Sequence, residues 1–508
     1  MKPMKPIAMS QGEQERWDHT SLRRRMILGA WEQDLEDELA RHLPPDRREA
    51  WGPSDMSSNP FEQITRQLAV LYHEVPAVTN MNGDVDLLVG REGLVTKAGL
   101  WQLQQRTQQM VIGLRESFVR IDVNPHVDDS PARSPGIQYR LVTPDVVYCE
   151  SHPDQPDVPV YYQEYRLRKG HDGKYIWCVD IIDIRDMNNP SFGIFKINDD
   201  GTIGQDLSEI FMGHPQMIGE SYPYRDSTGK PFLPVVLYHA EKTGFLWDTW
   251  CGSAQVYGSL SCGVLFSMWT HLVKSASWSQ KYIAGLSVAG LSQIDQNEIA
   301  RRSSIATDPS SILVFTQDPD ANGQPLVGSF GIATDPNSLL ESITKYEMRV
   351  ALSAGLSPSD VSRTNADPRS GYALAVSRSG QREAQKKFAP VFRMGDEELM
   401  AKTAMLSNRY LGTNLPEDGY RVSYHSMPLT PEEMRAQRED IIAKMQAGLI
   451  SPITAVMMML MIWTPKKQGN TCCKFAEKGP NFYENTSLST MLSGLGPTKG
   501  NRGMDGHK

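Results

Sequence analysis

Residues 252–283 read GSAQVYGSLSCGVLFSMWTHLVKSASWSQKYI and form the most informative stretch of the chain. The stretch contains no proline, and its first charged residue is Lys274. Apolar side chains recur at every fourth position, as on one face of an α-helix, at Val256, Leu260, Val264, Met268 and Leu272. The other face is small: Ser253, Gly258, Ser259, Cys262, Gly263 and Ser267. One helix over the whole stretch would be about 45–50 Å long.

The composition of this helix restricts where it can lie. It has too few charges to stand alone in water, and it is too rich in Ser, Gly and Gln for lipid. We therefore expect helices to pack on both of its sides, with the small residues allowing close approach. Two arrangements satisfy this expectation equally: the core helix of one large domain, or a ring of identical helices from neighbouring subunits. A membrane channel built on this helix is a rival hypothesis.

A small strand-bearing segment and a second helix follow. Residues 285–334 are polar overall, but the run SSILVF (310–315) predicts a strand. Asp335 is a favourable N-cap and Pro336 suits the first helical position, so we predict a helix here that Gly355 ends. The buried face of this helix is predicted to consist of Leu339, Ile343, Tyr346 and Val350.

A polar loop, LSPSDVSRTNADPRSG (356–371), separates the second helix from a third. The third helix is predicted over Tyr372–Leu411, with a kink at Pro390 and its end at Gly412. Three basic residues on this helix are four positions apart: Arg378, Arg382 and Lys386.

Other regions carry clear local patterns. Glu13–Val123 is predicted to be mostly helical, and Gly99–Phe118 within it to be a solvated helix that covers a surface. Gly136–Tyr238 alternates β-branched and aromatic runs with turn residues, which predicts an antiparallel meander. Near the C-terminus we predict one helix from Pro431 to Gly448 and a Met-rich helix starting at Ser451.

The charge balance argues against a protein that grips DNA tightly. The net charge is -8 and the pI is about 5.8, whereas proteins that neutralise phosphates are usually basic. The six cysteines form no CxxC pair and no zinc pattern, which indicates reduced thiols. We expect no signal peptide at the N-terminus. The tail from Thr464 has seven Lys or Arg against three Asp or Glu and is expected to be disordered.

A metal-dependent nucleic-acid-processing enzyme is the alternative function. Asp180, Asp183 and Asp186 could hold a metal ion, but a spacing of three does not match the period of a strand. We therefore interpret them as edge or turn carboxylates. The chain lacks the Walker A, GxSxG and HExxH signatures. Four histidines are interpreted as structural or surface residues: His19, His73, His239 and His271.

The ordered set of elements resembles the family of tailed-bacteriophage portal proteins, the head-to-tail connectors. LSAGLSPSDVSRTNADPRSGYALAVSRSGQREAQKKF (352–388) resembles the family's join of second stem helix, tunnel loop and kinked helix. NPSFGIF (189–195), YPYRDSTGKPFLPVVLYH (222–239) and TGFLWDTW (243–250) resemble the wing of one portal subgroup. AGLISPITA (447–455) resembles the helical hairpin before the crown.

The resemblance implies an α+β portal fold that assembles into an oligomeric ring. Its implied parts are an N-terminal helical arm (1–58), a helical and β-stranded wing (59–251), a first stem helix (252–283), a small α/β clip (284–334), a second stem helix (335–356), a tunnel loop (357–370), a long kinked helix with its return (371–429), a short helical crown (430–463) and a tail (464–508).

The resemblance also implies a function. Portals are virion proteins at one capsid vertex, assembled in the host cytoplasm, and their ring of about twelve subunits conducts double-stranded DNA during packaging and ejection. The implied partners are further copies of the chain, duplex DNA without sequence specificity, the large terminase subunit, a head-completion or adaptor protein, and the major capsid and scaffolding proteins. No enzymatic activity, cofactor, metal ion or membrane is implied.

Carried over by position, the resemblance assigns three sets of residues. The tunnel loop nearest the DNA comprises Ser357, Asp360, Arg363, Asn365, Asp367, Arg369 and Ser370. The clip surface for partners includes Asp295, Glu298, Arg301 and Arg302. The basic stripe Arg378, Arg382 and Lys386 is either a DNA track or a solvated or intersubunit face. Internal salt bridges with the loop aspartates are the alternative role of the two loop arginines.

Overall fold

The structure is a computed structural model of a mixed α+β chain, as predicted. It describes residues 9–43, 54–123, 136–170, 173–212, 214–248, 250–277, 280–284, 312–315, 326–330, 335–356, 379–426, 431–451, 453–456 and 458. The chain divides into two units, of which the second comprises residues 368–375 and 428–508. All strands within the described residues belong to the first unit.

Helices dominate the N-terminal part, and polar caps set where two of them begin. The Ser10 hydroxyl accepts the Glu13 N–H at 3.3 Å, and the Asn59 side chain accepts the Glu62 N–H at 3.2 Å. Pro60 occupies the first helical position after Asn59. The helices are α1 (Gln11–Ile27), α2 (Glu32–Ala40), α3 (Pro60–Leu68), α4 (Asp86–Val89), α5 (Leu94–Lys97) and α6 (Leu100–Leu114).

Helix α6 is a buried core helix, so its prediction as a solvated surface helix was wrong. Even Gln104 and Gln108 are fully buried. A Cβ atom at Gly113 would overlap with the Ile27 side chain, which shows how closely α1 packs on α6. The glutamines are tolerated because they make hydrogen bonds inside the protein, such as the one that Gln108 Oε1 accepts from the Leu71 N–H at 2.9 Å.

Five antiparallel strands form a meander inside the predicted region 136–238, and each pairs with the next along the chain. The prediction was wrong at both ends of that region, because residues 137–142 and 235–239 belong to another sheet. They are β4 (Val147–His152), β5 (Gln155–Lys169), β6 (Tyr175–Asp183), β7 (Ser191–Ile197) and β8 (Ile203–Asp206). In the pairing of β5 with β6, Glu164 lies opposite Asp180. Because paired residues point to the same face, these two carboxylates share one side of the sheet.

A second sheet departs from the sequence prediction. Its central strand β2 (Glu116–Val123) lies within the region predicted to be mostly helical, and it pairs with β3 (Ile137–Val142) and β9 (Val235–His239). Almost every residue of β2 is buried, including the charged Glu116 and Arg120, so burial does not alternate along the strand as it does in a half-exposed strand. A two-stranded sheet pairs β1 (Ala77–Asn80) with β13 (Tyr420–Ser423).

The helix predicted from Gly252 is shorter than expected. After the single turn α7 (Ser208–Phe211) and strand β9, helix α8 spans Ser253–Ser277. The residues after it form strand β10 (Gln280–Ala284), which is central in a sheet with β11 (Ile312–Phe315) and β12 (Leu326–Phe330). Tyr282 and Ile283, which were predicted to be helical, pair with strands on both sides.

Three further helices follow along the described part of the chain. In α9 (Pro336–Ser353) the Asp335 carboxylate accepts the N–H groups of Asn337 and Ser338, as the N-cap prediction required. Helix α10 (Ser379–Leu411) continues through Pro390 and ends before Gly412, which has a φ of 65°. The predicted start of this helix, from Tyr372 to Arg378, lies outside the described residues. In the second unit, α11 (Pro431–Gln446) ends near Gly448, as predicted.

Candidate functional site

Helices α8 and α9 form an antiparallel pair whose register is fixed by hydrogen bonds at both ends. Near one end, Gln255 Nε2 donates to the Ser353 carbonyl at 3.0 Å. Near the other end, the Trp269 indole N–H donates to the Pro336 carbonyl at 3.0 Å. The start of α8 therefore lies beside the end of α9. In sequence, the C-terminus of α8 is followed by β10, and the N-terminus of α9 is preceded by β12 of the same sheet.

Two glycines of α8 allow close contact with two different neighbours. A Cβ atom at Gly258 would lie 2.7 Å from Val350 Cγ2 of α9. A Cβ atom at Gly263 would lie 2.7 Å from the ring of Trp31, the residue just before α2, and 2.9 Å from Cδ1 of Leu35 within α2. The small residues of α8 thus serve close packing, as the sequence predicted, but the helices they admit belong to the same chain.

The hydroxyl groups on the small face of α8 are hydrogen-bonded to the segment before and at the start of α3. Ser259 Oγ accepts the Phe61 N–H at 2.8 Å, and Ser267 Oγ accepts the Asp55 N–H at 2.8 Å. Thr270 Oγ1 donates to the Asp55 carboxylate at 2.6 Å. Sequence reasoning missed the role of Asp55, because nothing in its local pattern points to a contact 215 residues away.

A hydrophobic cluster separate from the main core joins α8 to the N-terminal helices. It includes Met26, Trp31, Leu35, Phe61, Val256, Leu260 and Val264. One face of the first half of α8 is therefore buried within its own chain. Of the two arrangements left open by the sequence, the core-helix arrangement accounts for this face without any neighbouring subunit.

Other faces of α8 and α9 carry apolar side chains that are partly or largely exposed. Tyr257 is 53% exposed and Leu352, in the last turn of α9, is 56% exposed. Farther along α8, Leu265, Phe266 and Leu272 are only half-buried. The helix pair therefore keeps apolar surface that its own chain does not cover.

Among the described residues, one helix is long and apolar enough to cross a membrane, over Ser253–Lys274 of α8. The core helix of a soluble protein passes the same test of length and composition. Because this helix is packed against α2, α3 and α9 of its own chain, its apolar character has a structural explanation.

Most of the residues assigned from the portal resemblance cannot be placed. The tunnel-loop set from Ser357 to Ser370, Arg378, and the clip set Asp295, Glu298, Arg301 and Arg302 lie outside the described residues. The described part of the clip region is the three-stranded sheet β11-β10-β12, in which β10 pairs parallel with β11 and antiparallel with β12.

The described part of the basic stripe lies near the N-terminus of α10. Arg382 is half-buried and Lys386 is exposed. The neighbouring Gln381 Nε2 donates to Gln67 Oε1 at 2.6 Å, and Gln385 Nε2 donates to the His425 carbonyl at 2.6 Å. This part of α10 therefore packs against its own chain, and Lys386 is the described stripe residue with a solvent-exposed side chain.

Asp180 is not an edge or turn carboxylate, so that part of the prediction was wrong. It is fully buried in β6, where Arg120 contacts it at 2.6 Å and Arg168 at 2.7 Å. The two arginines come from β2 and β5, and their charges balance that of the buried carboxylate. The spacing of the three aspartates in the sequence does not reveal these partners. Asp183, at the end of β6, pairs with Arg185 at 2.6 Å, and Asp186 lies in the following turn.

The same buried cluster contains two more carboxylates. Arg120 also contacts Asp122 and Glu164, each at 3.0 Å, and Arg140 pairs with Glu164. Burial alone would raise the pKa of Glu164, but Arg140 and Arg120 together hold that pKa below its ordinary value. Among the described residues, no group of three His, Cys, Asp or Glu side chains is arranged to hold a metal ion.

The histidines differ in their surroundings. His19 is buried and packs against the Trp250 ring, with the ring centroids 4.9 Å apart. Burial, with a smaller effect of Arg23, lowers the pKa of His19 to about 4. Burial likewise lowers the pKa values of His239 and His271, and His73 is exposed. These environments agree with structural or surface roles.

Comparisons with known proteins identify no family. No protein-family model and no curated protein matches the chain. Among solved structures, the neck of an empty GTA particle, computed with C6 symmetry, matches with 12% identity over 79% of this chain and 88% of that chain, at a TM-score of 0.38. The neck of a native GTA particle, computed with C12 symmetry, matches over the same shares at a TM-score of 0.33. Superpositions at this level do not establish a shared fold.

Proposed function

We propose that this chain is a subunit of a portal ring, the head-to-tail connector of a phage-like particle, through which double-stranded DNA is packaged and ejected. The observation that carries the proposal is the antiparallel pair α8 and α9 with the small sheet β10–β12 inserted between them. The portal family has this order, a stem helix, a clip and a second stem helix, and the quoted sequence stretches resemble the same family.

The exposed side chains of the helix pair support assembly into a ring. One face of the first half of α8 is covered by its own chain, whereas Tyr257 on another face, Leu352 of α9 and the second half of α8 keep apolar surface in contact with water. Neighbouring subunits around an axis would cover this surface. The N-terminal helices then stabilise each subunit before assembly, and the helix pair provides contacts between subunits.

The charge of the chain suits a conduit. A net charge of -8 disfavours tight binding of phosphates, and every contact is repeated in each subunit of a ring. We therefore propose that contacts with DNA are few, transient and limited to the backbone, through Arg363, Arg369 or the exposed Lys386. The large terminase subunit, a head-completion protein, and capsid and scaffolding proteins are the partners proposed on the same resemblance.

The alternative of a metal-dependent enzyme has little support in the described residues. Asp180 and Glu164 lie on one face of the meander, but arginine side chains already bind both carboxylates. A metal ion would have to displace these guanidinium groups from a fully buried position. Incubation with duplex DNA and Mg²⁺ or Mn²⁺ tests this alternative, and cleavage by the wild type that a folded D180N variant lacks would favour it.

Two matched substitutions test the proposed assembly surface. Leu352→Glu places a charge on the helix pair, and Leu87→Glu places one on α4, where the native side chain is 54% exposed against 56% for Leu352. Native mass spectrometry at equal subunit concentrations should show rings for the wild type and L87E and mostly single subunits for L352E. Equal assembly of both variants, or no assembly of the wild type, would contradict the proposal.

A further inference from the structure

A buried carboxylate in the middle of α10 is surrounded by neutral hydrogen-bond donors. Asp396 has no exposed surface. Its Oδ2 accepts hydrogen bonds from the hydroxyls of Tyr72 and Tyr424, each at 2.8 Å. Its Oδ1 accepts from the Tyr238 hydroxyl at 2.9 Å and from Gln104 Nε2 at 2.8 Å. Four donors from four separate parts of the chain therefore meet on one side chain.

These donors connect α10 to most of the surrounding core. Tyr72 lies in a 3-10 turn (Leu71–His73), Gln104 in α6, Tyr238 in β9, and Tyr424 directly after β13. Gly395 makes the contact with β9 possible, because a Cβ atom at this position would lie 2.5 Å from the Tyr238 ring. The carboxylate is thus the point at which the helix is hydrogen-bonded to these four neighbours.

The cluster has no cation to balance the charge of Asp396. Among the described residues, no Lys, Arg or His forms an ion pair with this carboxylate, unlike Glu164 and Asp180. Two charged side chains act close to the cluster: Arg393, whose charge affects Tyr424, and Glu397, whose Oε1 accepts the Val422 N–H at 3.2 Å. The other groups that face the carboxylate are the three tyrosines and the uncharged Gln104.

A buried carboxylate without a counter-ion is costly when ionised. Burial raises the pKa of Asp396 to about 6, although hydrogen bonds from Tyr424, Tyr72, Tyr238 and Gln104 act in the opposite direction. Burial and the nearby carboxylate also raise the pKa values of Tyr72 and Tyr238, so these hydroxyls stay protonated.

We propose that Asp396 is a proton-binding switch that sets how firmly α10 is held against its four neighbours. A protonated Asp396 no longer carries an uncompensated charge, and its O–H can donate to one of the tyrosine hydroxyls, which accept as well as donate, so the protonated form holds the helix more tightly. Because the pKa in the folded chain is raised above that in the unfolded chain, the stabilisation is complete below about pH 4 and is lost as pH rises through about 6. The switch does not depend on the proposed portal function.

Hydrogen exchange of the full chain tests this switch locally. Peptides from α10 are followed by mass spectrometry between pH 5 and 8, with the intrinsic exchange rate at each pH divided out. In the wild type, protection around Asp396 should fall about tenfold or more as pH rises through 6. D396N should show a constant protection, whereas the control E398Q, a change at a half-exposed carboxylate of the same helix, should behave as the wild type.

A second variant separates the switch from a purely structural role. Tyr424→Phe removes one donor that favours the ionised form, so the pH at which protection falls should move upward. A structural role alone would lower protection at every pH and leave that midpoint unchanged. An unchanged midpoint in Y424F, constant wild-type protection from pH 5 to 8, or the same pH dependence in D396N would each overturn the proposal, and the Y424F result stands even if D396N does not fold.

Discussion

Gly258 of α8 lies directly against Val350 of α9, so that a Cβ atom at position 258 would be 2.7 Å from Val350 Cγ2. The two helices of one chain thus come so close at this position that a side chain in place of the glycine hydrogen would overlap with Val350. The contact shows that the small residues of α8 first hold the helix pair together within a subunit. Any interface between subunits must therefore use other residues of the pair.

Gly258→Ala should destabilise the subunit, because the valine side chain is stiff and must move with its backbone. We expect a loss of about 1–2 kcal/mol in the free energy of unfolding, after allowing for the higher helix propensity of alanine. Urea unfolding at fixed subunit concentration measures it. Gly12→Ala in α1 is the matched control, since a Cβ atom there meets nothing within 4 Å and should be neutral or stabilising. Equal effects of the two substitutions would contradict the close contact.

Arg120→Met should be strongly destabilising, because Arg120 contacts three carboxylates in the buried cluster between the two main sheets. We expect a loss of about 3–5 kcal/mol, as when one partner of a buried ion pair is removed. Arg185→Met is the control: this half-exposed arginine pairs with Asp183 and Glu150, and its loss should cost about 0–1 kcal/mol. A small effect at Arg120, measured by the same urea unfolding, would show that the cluster is not needed for stability.

Glu116 should make the stability of the chain fall as pH rises. Its side chain is fully buried, and burial raises the pKa of Glu116 to about 8, although the Asp248 N–H donates to it. Because the folded pKa lies above the unfolded one, its stabilisation is present below about pH 4.5 and is lost as pH rises through about 8.

Between pH 5 and 8, Glu116 should lower the free energy of unfolding of the wild type by about 3 kcal/mol, and Glu116→Gln should remove this contribution. Thermal and urea unfolding of the variant and the wild type across that range measure the difference. Glu92→Gln, at a side chain that is 81% exposed, serves as the control and should follow the wild type. Parallel pH profiles for E116Q and the wild type would contradict a buried, protonated Glu116.

The sequence was most informative where a local rule fixes the backbone. The capping of α9 by Asp335 with Pro336 behind it, and the ends of α10 and α11 at Gly412 and Gly448, were all predicted. Each of these features depends on one or two neighbouring residues, a carboxylate with a proline or a single glycine, and not on distant parts of the chain. The alternation of the meander is local in the same sense.

The failures all involve partners that are distant in sequence. The glutamines of α6 look solvated until Leu71 and Asp396 are seen to bind them, and Asp180 looks like a turn residue until Arg120 and Arg168 lie beside it. The candidate site was predicted only as an order of elements. Its register, and the covering of α8 by the N-terminal helices, depend on contacts that no local pattern encodes.

Electron microscopy of the purified full-length chain shows whether it forms a portal ring. We expect closed, rotationally symmetric rings with an axial hole wide enough for duplex DNA, in which neighbouring α8 and α9 pairs lie side by side around the hole. Particles that are well-folded single subunits at every concentration would contradict it.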